Sequence, residues 1–173
     1  LPWREPAHEL RRRLAFLHRA LGDPWPDVSD DALLAGLDAW LGPDLARVRT
    51  AADLQRLDLT GALRRLPPWP AAGRLDELAP VRVDLPGGKS ARVDYTGEQP
   101  VLAVKVQEAF GWRATPRVAD GRVPVLLHLL SPARRPAAIT ADLESFWRTG
   151  YAQVRAELRR RYPKHDWPED PGA

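Results

Sequence analysis

Several groups of residues have types and spacings that suit chemistry. Gly88-Lys89-Ser90 repeats the last three letters of the loop with which ATPases hold phosphate. That loop needs a leading Gly five residues before the Gly-Lys pair, a buried strand before it and a helix after it. Val83 stands at the leading position, and Ala91-Arg92-Val93-Asp94-Tyr95 alternates as a strand does. Pro86-Gly87-Gly88-Lys89 therefore reads as a hairpin turn between two period-two runs. A second group is Arg159-Arg160-Arg161-Tyr162-Pro163-Lys164-His165-Asp166-Trp167, where cations are interleaved with aromatic rings. Such a surface suits single-stranded nucleic acid, because guanidiniums and ammoniums neutralise phosphates while bases stack on rings. Arg122 and the pair Arg134-Arg135, between Pro132 and Pro136, extend the candidate set. The competing reading is that the arginines suit a helix C-terminus and that Tyr162 and Trp167 lap back onto the core.

Other candidates have plainer explanations. His128 sits in an apolar strand without a second ligand at metal-binding spacing, so a hydrogen-bonded core residue is expected. His8 and His18 lie on one helix at a spacing that does not bring them together. Asp30 and Asp31 suit the start of a helix, and Asp166, Glu169 and Asp170 a solvated acidic end. Hydrolase, metalloprotease and dinucleotide motifs are absent, and no catalytic constellation is found. No catalytic, cofactor-binding or metal-binding residue is assigned.

The elements that must hold these residues follow from the apolar pattern. Residues 1–78 read as a subdomain of short helices. Leu10, Leu14, Leu17 and Leu21 share one face, with Gly22 at its end. Ser29, Thr50 with Asp53, and Asp58 are the expected N-caps of three further helices. Pro67-Pro68-Trp69-Pro70 marks a boundary, and a short helical turn is expected near Leu75. Residues 79–161 read as a small antiparallel sheet of about five strands with flanking helices. Pro100–Phe110 is expected as a helix capped by Gly111, although Val101–Val104 also suits the start of a strand. A second hairpin turns at Asp120-Gly121, and its second arm, Arg122–Ser131, is apolar on both faces, as a central strand would be. A long helix starts at Thr140 or Asp142 and runs to about Arg161. Residues 162–173 form a Pro-rich aromatic tail. The whole is α+β.

Composition narrows the partners. The chain has no Cys and no run of the ~20 apolar residues that a membrane span needs, which points to a cytoplasmic protein. It lacks Met altogether, so a piece of a longer protein is expected. The net charge of +3 is uneven: from Lys105 to Lys164 there are 12 basic residues against 5 acidic ones. An anionic partner is sought there first.

Three stretches carry a resemblance to a known family: Pro100–Gly111, Gly121–Pro132, and Asp142–Trp147 leading to Arg161-Tyr-Pro-Lys-His-Asp-Trp-Pro-Glu-Asp-Pro171. In that order they resemble the C-terminal domain of the HrpB family, bacterial ATP-dependent helicases of the DEAH/RHA type. Leu75–Pro80 and Val93–Tyr95 are similar to the preceding part of that family. One departure is an Arg in Ala133-Arg134-Arg135-Pro136, where the family pattern suggests Gly. The resemblance implies a parent motor that uses ATP and Mg²⁺, while the motor's Walker A loop and Asp-Glu-x-His box are absent here. It also implies the motor domains as partners and, by analogy with related helicases, an oligonucleotide-binding (OB) arrangement beside the nucleic-acid channel.

Two functions are weighed. One is a non-catalytic accessory domain that contacts single-stranded RNA or DNA through Arg122, Arg134, Arg135, Arg159, Arg160, Arg161, Tyr162, Lys164 and Trp167. The other is a protein-docking domain that uses Trp25, Trp69 and Trp167.

Overall fold

The computed structural model describes residues 1–172 and divides into two compact units, Leu1–Ala79 and the chain from Pro80 onward. In the first unit α1 (Glu5–Leu21) buries Ala7, Leu10, Leu14, Phe16 and Leu17, and ends at Gly22 with φ 68°. Five short helices follow: α2 (Asp30–Ala35), α3 (Leu37–Trp40), α4 (Gly42–Leu45), α5 (Ala51–Gln55) and α6 (Leu59–Arg64). Each expected cap is made. The Ser29 hydroxyl accepts from Ala32 N, Thr50 and Asp53 form a reciprocal capping box, and the Asp58 carboxylate accepts from Gly61 N. α6 packs on α1 through Leu59, Ala62 and Leu63, all 1% exposed or less. A 3₁₀ turn (Ala71–Arg74) leads into α7 (Leu75–Leu78). The Arg13 side chain, 3% exposed, is satisfied by Ala79 O at 2.8 Å and Asp76 at 2.6 Å. Burying a guanidinium is tolerable only with such partners.

The second unit is built on a five-stranded sheet in the order β1 (Arg82–Asp84), β2 (Ser90–Asp94), β3 (Val101–Lys105), β6 (Leu126–Leu130), β7 (Pro136–Thr140). A separate two-stranded hairpin joins β4 (Arg117–Val118) to β5 (Val123–Pro124). The turn at Gly88 is a hairpin: Leu85 N donates to Lys89 O at 2.7 Å, and Gly88 has φ 97°. Gly88-Lys89-Ser90 therefore opens β2 rather than a helix.

The α+β expectation holds, with three corrections to the sheet. Val101–Lys105 is a strand, and only Val106–Ala109 turns helically, as one 3₁₀ turn. Val101 and Val104 satisfy a helical spacing, but Leu102 and Val104 are the residues buried, in strand alternation. β3 then runs parallel to β6, so the sheet is mixed rather than antiparallel. Residues 106–125, which include the β4–β5 hairpin, provide the long crossover that a parallel pair requires. Arg122–Ser131 is not one strand either, because it breaks at Val125 between the hairpin and the main sheet.

One face of the sheet is the core, where Leu102, Val104, Leu127 and Leu129 are 1% exposed or less. On the other face His128 lies opposite Ala103 and Ile139, half-buried. Among the described residues its imidazole makes no hydrogen bond, so the expected hydrogen-bonded core histidine is not what the fold provides.

The final helix begins at Asp142, whose carboxylate accepts from Ser145 N. It runs through α8 (Leu143–Ser145), a π-helical turn (Phe146–Gly150) and α9 (Tyr151–Arg161). In the π turn Tyr151 N reaches back five residues to Phe146 O. A Cβ at Gly150 would come within 2.7 Å of the Phe146 ring, so only glycine allows that ring to lie there.

Candidate nucleic-acid interface

The charged residues singled out in the sequence gather at one end of β6, around a buried hydroxyl. Ser131, 5% exposed, follows β6 and organises the Arg134-Arg135 loop. Ser131 N donates to Arg135 O at 2.8 Å, Arg134 N donates to Ser131 O at 2.8 Å, and Arg135 N donates to Ser131 Oγ at 3.2 Å. The Tyr162 hydroxyl donates to the same Oγ at 3.5 Å. That contact brings the loop to the end of α9, where Arg159, Arg160 and Arg161 are exposed and Lys164 follows. Lys105 closes β3 opposite Leu130, at the same end of the sheet, and sequence reasoning missed it for want of neighbouring cations. Arg134, Arg135, Arg159, Arg160 and Lys164 make no ion pair among the described residues, and Arg161 sits 3.9 Å from Glu157.

Arg134 is held at φ 62°. Non-glycine residues enter this left-handed region at a cost of about 1–3 kcal/mol. It lies in the loop where the family pattern suggested a Gly, and here the chain keeps a guanidinium where backbone energetics favour no side chain. Both groups beside it are exposed, and nothing in the described structure neutralises them.

Two candidates separate from this group. Arg122 is exposed on the β4–β5 hairpin, before β6, whereas Ser131 follows β6, so the two lie at opposite ends of that strand. Trp167 is 5% exposed and cannot stack on a base. Its indole N–H donates to Tyr162 O at 3.0 Å, and its own carbonyl accepts from Arg155 Nε at 2.7 Å. The tail therefore laps back along the final helix as a strap. Tyr151 OH donates to Pro168 O at 2.6 Å, and Gly111 N donates to Pro171 O at 2.8 Å. The rings of Phe110, Trp147, Tyr151 and Trp167 interlock beneath it, with Phe110 edge-on to both Tyr151 and Trp167. Burial pushes the Tyr151 phenol up to about 12, with Asp166 adding to the rise and Arg155 opposing it. Tyr162 remains half-buried at the edge of the strap.

The three-tryptophan docking surface does not form. Trp25 and Trp167 are buried at 3% and 5%, and Trp69 alone of the three is exposed, at 81%.

Comparison with known proteins decides the family. The family of HrpB-type ATP-dependent helicase C-terminal domains matches residues 40–171. The chain belongs to the HrpB C-terminal family. The ATP-dependent RNA helicase HrpB of Escherichia coli strain K12 is 43% identical over 173 residues, covering 99% of this chain and 21% of that protein. A crystal structure of the E. coli DExH-box NTPase HrpB superposes with a TM-score of 0.89 at 43% identity, over 98% of this chain and 21% of that one. A second, of the E. coli DEAH/RHA helicase HrpB, gives 0.77 at 41% identity, over 96% and 21%. The chain thus spans about a fifth of the length of these relatives. As an HrpB C-terminal domain it shares their mixed sheet and long final helix.

Proposed function

We propose that this chain is a non-catalytic accessory domain of a helicase and contacts single-stranded nucleic acid beside the motor. The observation that carries this reading is the Ser131–Tyr162 junction, a contact across thirty-one positions that brings two basic clusters together. The similar E. coli protein bears the name of an ATP-dependent RNA helicase, which makes RNA the first strand to try. On this reading the motor domains are the partners, they rather than this chain use ATP and Mg²⁺, and the work is done in the cytoplasm. No helix among the described residues is long and apolar enough to cross a membrane.

The test is fluorescence anisotropy of labelled single-stranded RNA and DNA at about 50 mM salt, where phosphate contacts are strongest. Binding that weakens steeply as salt rises supports the proposal, and no binding at that salt overturns it. A second reading has its own observation. Val101, Leu126, His128, Leu130 and Ile139 form a partly exposed face of the sheet, with Ile139 at 63%. Such a face suits protein docking, and an Ile139→Asp chain that binds RNA normally but no longer associates with its motor domains would favour it.

A further inference from the structure

Beside the strap lies a cleft of ≈460 Å³, lined by Arg113, Ala114, Glu144, Trp147, Arg148, Asp170 and Gly172. Two guanidiniums and two carboxylates share it, yet none of the four is engaged in an ion pair or side-chain hydrogen bond among the described residues. Opposite charges that line one cleft without pairing leave donors and acceptors free for a ligand.

The frame around them is rigid. Trp147 and Arg148 belong to the π turn, a rare geometry that is frequent at functional sites. The Trp147 indole N–H donates to Trp112 O at 2.7 Å, which fixes the ring and the chain entering Arg113. The Trp147 ring also meets Tyr151 edge-on at 5.2 Å and Phe146 at 5.4 Å. On the strap side, Gly111 N holds Pro171 O beside Asp170. Arg113, Arg148, Glu144 and Asp170 are themselves exposed, so their charges face the opening.

A ligand that fits must offer an anion to two planar guanidiniums, hydroxyl groups to two carboxylates, and an apolar surface to the side of an indole. A ribonucleotide unit that is free or at the 3′ end of a strand has all three: phosphate, vicinal ribose hydroxyls and a base. A 2′,3′-dideoxynucleotide unit would set the same carboxylates against its phosphate without returning the hydroxyl hydrogen bonds.

We infer that this cleft is a subsite for one ribonucleotide unit, free or at the 3′ end of a strand, with phosphate on Arg113 and Arg148 and ribose hydroxyls on Glu144 and Asp170. As a subsite for a strand it rests on the nucleic-acid reading above, and as a site for a free ribonucleotide it does not.

The test is a titration of the full chain with 5′-AMP and with 2′,3′-dideoxy-AMP at millimolar concentration, following the Trp147 indole N–H resonance. The ribonucleotide shifts that resonance and binds several-fold tighter than the dideoxy compound. Arg113→Gln with Arg148→Gln weakens it about tenfold, as loss of charge-assisted bonds does. Glu144→Gln with Asp170→Asn brings the two compounds toward equal affinity. These four residues are exposed, so the variants keep the fold, and the other indole resonances report whether they do. An unshifted Trp147 resonance, or equal affinity for the two compounds in the unaltered chain, overturns the inference. A single-stranded RNA oligonucleotide forms the second arm. RNA that binds without moving Trp147 leaves the accessory-domain reading standing and overturns the cleft as part of the strand's path. AMP that binds where RNA does not supports the cleft and removes that reading.

Discussion

In Leu1–Ala79 the helix caps close within three residues of themselves, at Ser29, Thr50 and Asp58. From Pro80 onward the ties span long stretches of chain: Leu143 N to Thr115 Oγ1 across 28 positions, Tyr162 to Ser131 across 31, Trp147 to Trp112 across 35. The first unit has distant ties as well, Arg4 to Gln55 O across 51 positions and Arg13 to Asp76 and Ala79 O across 63 and 66, but they fasten helices to one another. Local caps specify a stack of helices but gather few chemically distinct side chains. Distant ties cost more loop-closure entropy and fold more slowly, and in exchange they bring Arg134, Arg161 and Lys105 to one end of a sheet. The proposed contacts lie in the unit where such ties join a sheet to the final helix.

That contrast can be broken most forcefully at Trp167. Trp167→Ala removes the indole that pins the strap and is expected to cost about 3–5 kcal/mol, as aromatic truncations in cores do. Hydrogen exchange should show faster opening at α9 and in residues 162–171, with α1 and α6 protected as before. Equal loss of protection in both units would mean that the division does not extend to their stabilities.

Next in size is a change in binding. Arg134→Glu with Arg135→Glu should weaken single-stranded nucleic acid about tenfold and flatten the salt slope by about 1 to 2, without altering sequence preference. The counterpart in the first unit, Arg64→Glu with Arg65→Glu, should leave affinity within about twofold. Anisotropy titrations at several salt concentrations compare the two, and an equal loss in both variants would refute the assignment of contact to the sheet unit.

Smaller effects come from single hydrogen bonds, and pH separates the units. The folded chain keeps the Tyr151 proton up to about pH 12, whereas an unfolded chain gives it up near 10.0. Stability of the sheet unit is therefore full below about pH 10 and falls as pH climbs toward 12. Tyr151→Phe should cost about 1 kcal/mol at neutral pH, for the lost bond to Pro168 O, and abolish that alkaline loss. In the helical unit the Arg49 amide bond, more than any other contact, holds the Asp53 carboxyl below its ordinary 3.8, and the Ser29 amide does the same for Asp27. Their contribution is present above pH 3.8 and is lost as pH falls through the lowered folded values. Thr50→Ala should cost about 1 kcal/mol or less, read as a shift in the denaturant midpoint of α1–α6 signals. Alkaline loss in the helical unit, or acid loss in the sheet unit alone, would reverse the comparison.

The same contrast explains what was legible in the sequence. Caps, hairpin turns and the start of the final helix are set by residues a few positions apart, so Ser29, Thr50-Asp53, Asp58, Pro86–Lys89 and Asp142 could be read directly. Val101–Val104 could not, because four apolar residues suit a helix or a strand, and pairing with β6, far along the chain, decides between them. The parallel register and the split at Val125 depend on the same distant partner. The basic stretch was visible as composition, but which arginines meet depends on Ser131 and Tyr162 converging. Arg113 and Arg148 stood alone in the sequence and gave no signal, since only the strap and the π turn line them up on one cleft.

The widened turn at Phe146–Gly150 also bears on chain length. A π turn holds nearly one residue more than an α turn over the same rotation, so it absorbs an extra residue without rotating the helix beyond it. In a relative one residue shorter here, the segment would close as ordinary α-helix, Tyr162 would still face Ser131, and an alignment would resume in phase after a single gap. Trp147 and Arg148 would not keep their places. Insertion and deletion at this one point therefore act as a dial that resets the cleft while leaving the basic end of the sheet unmoved.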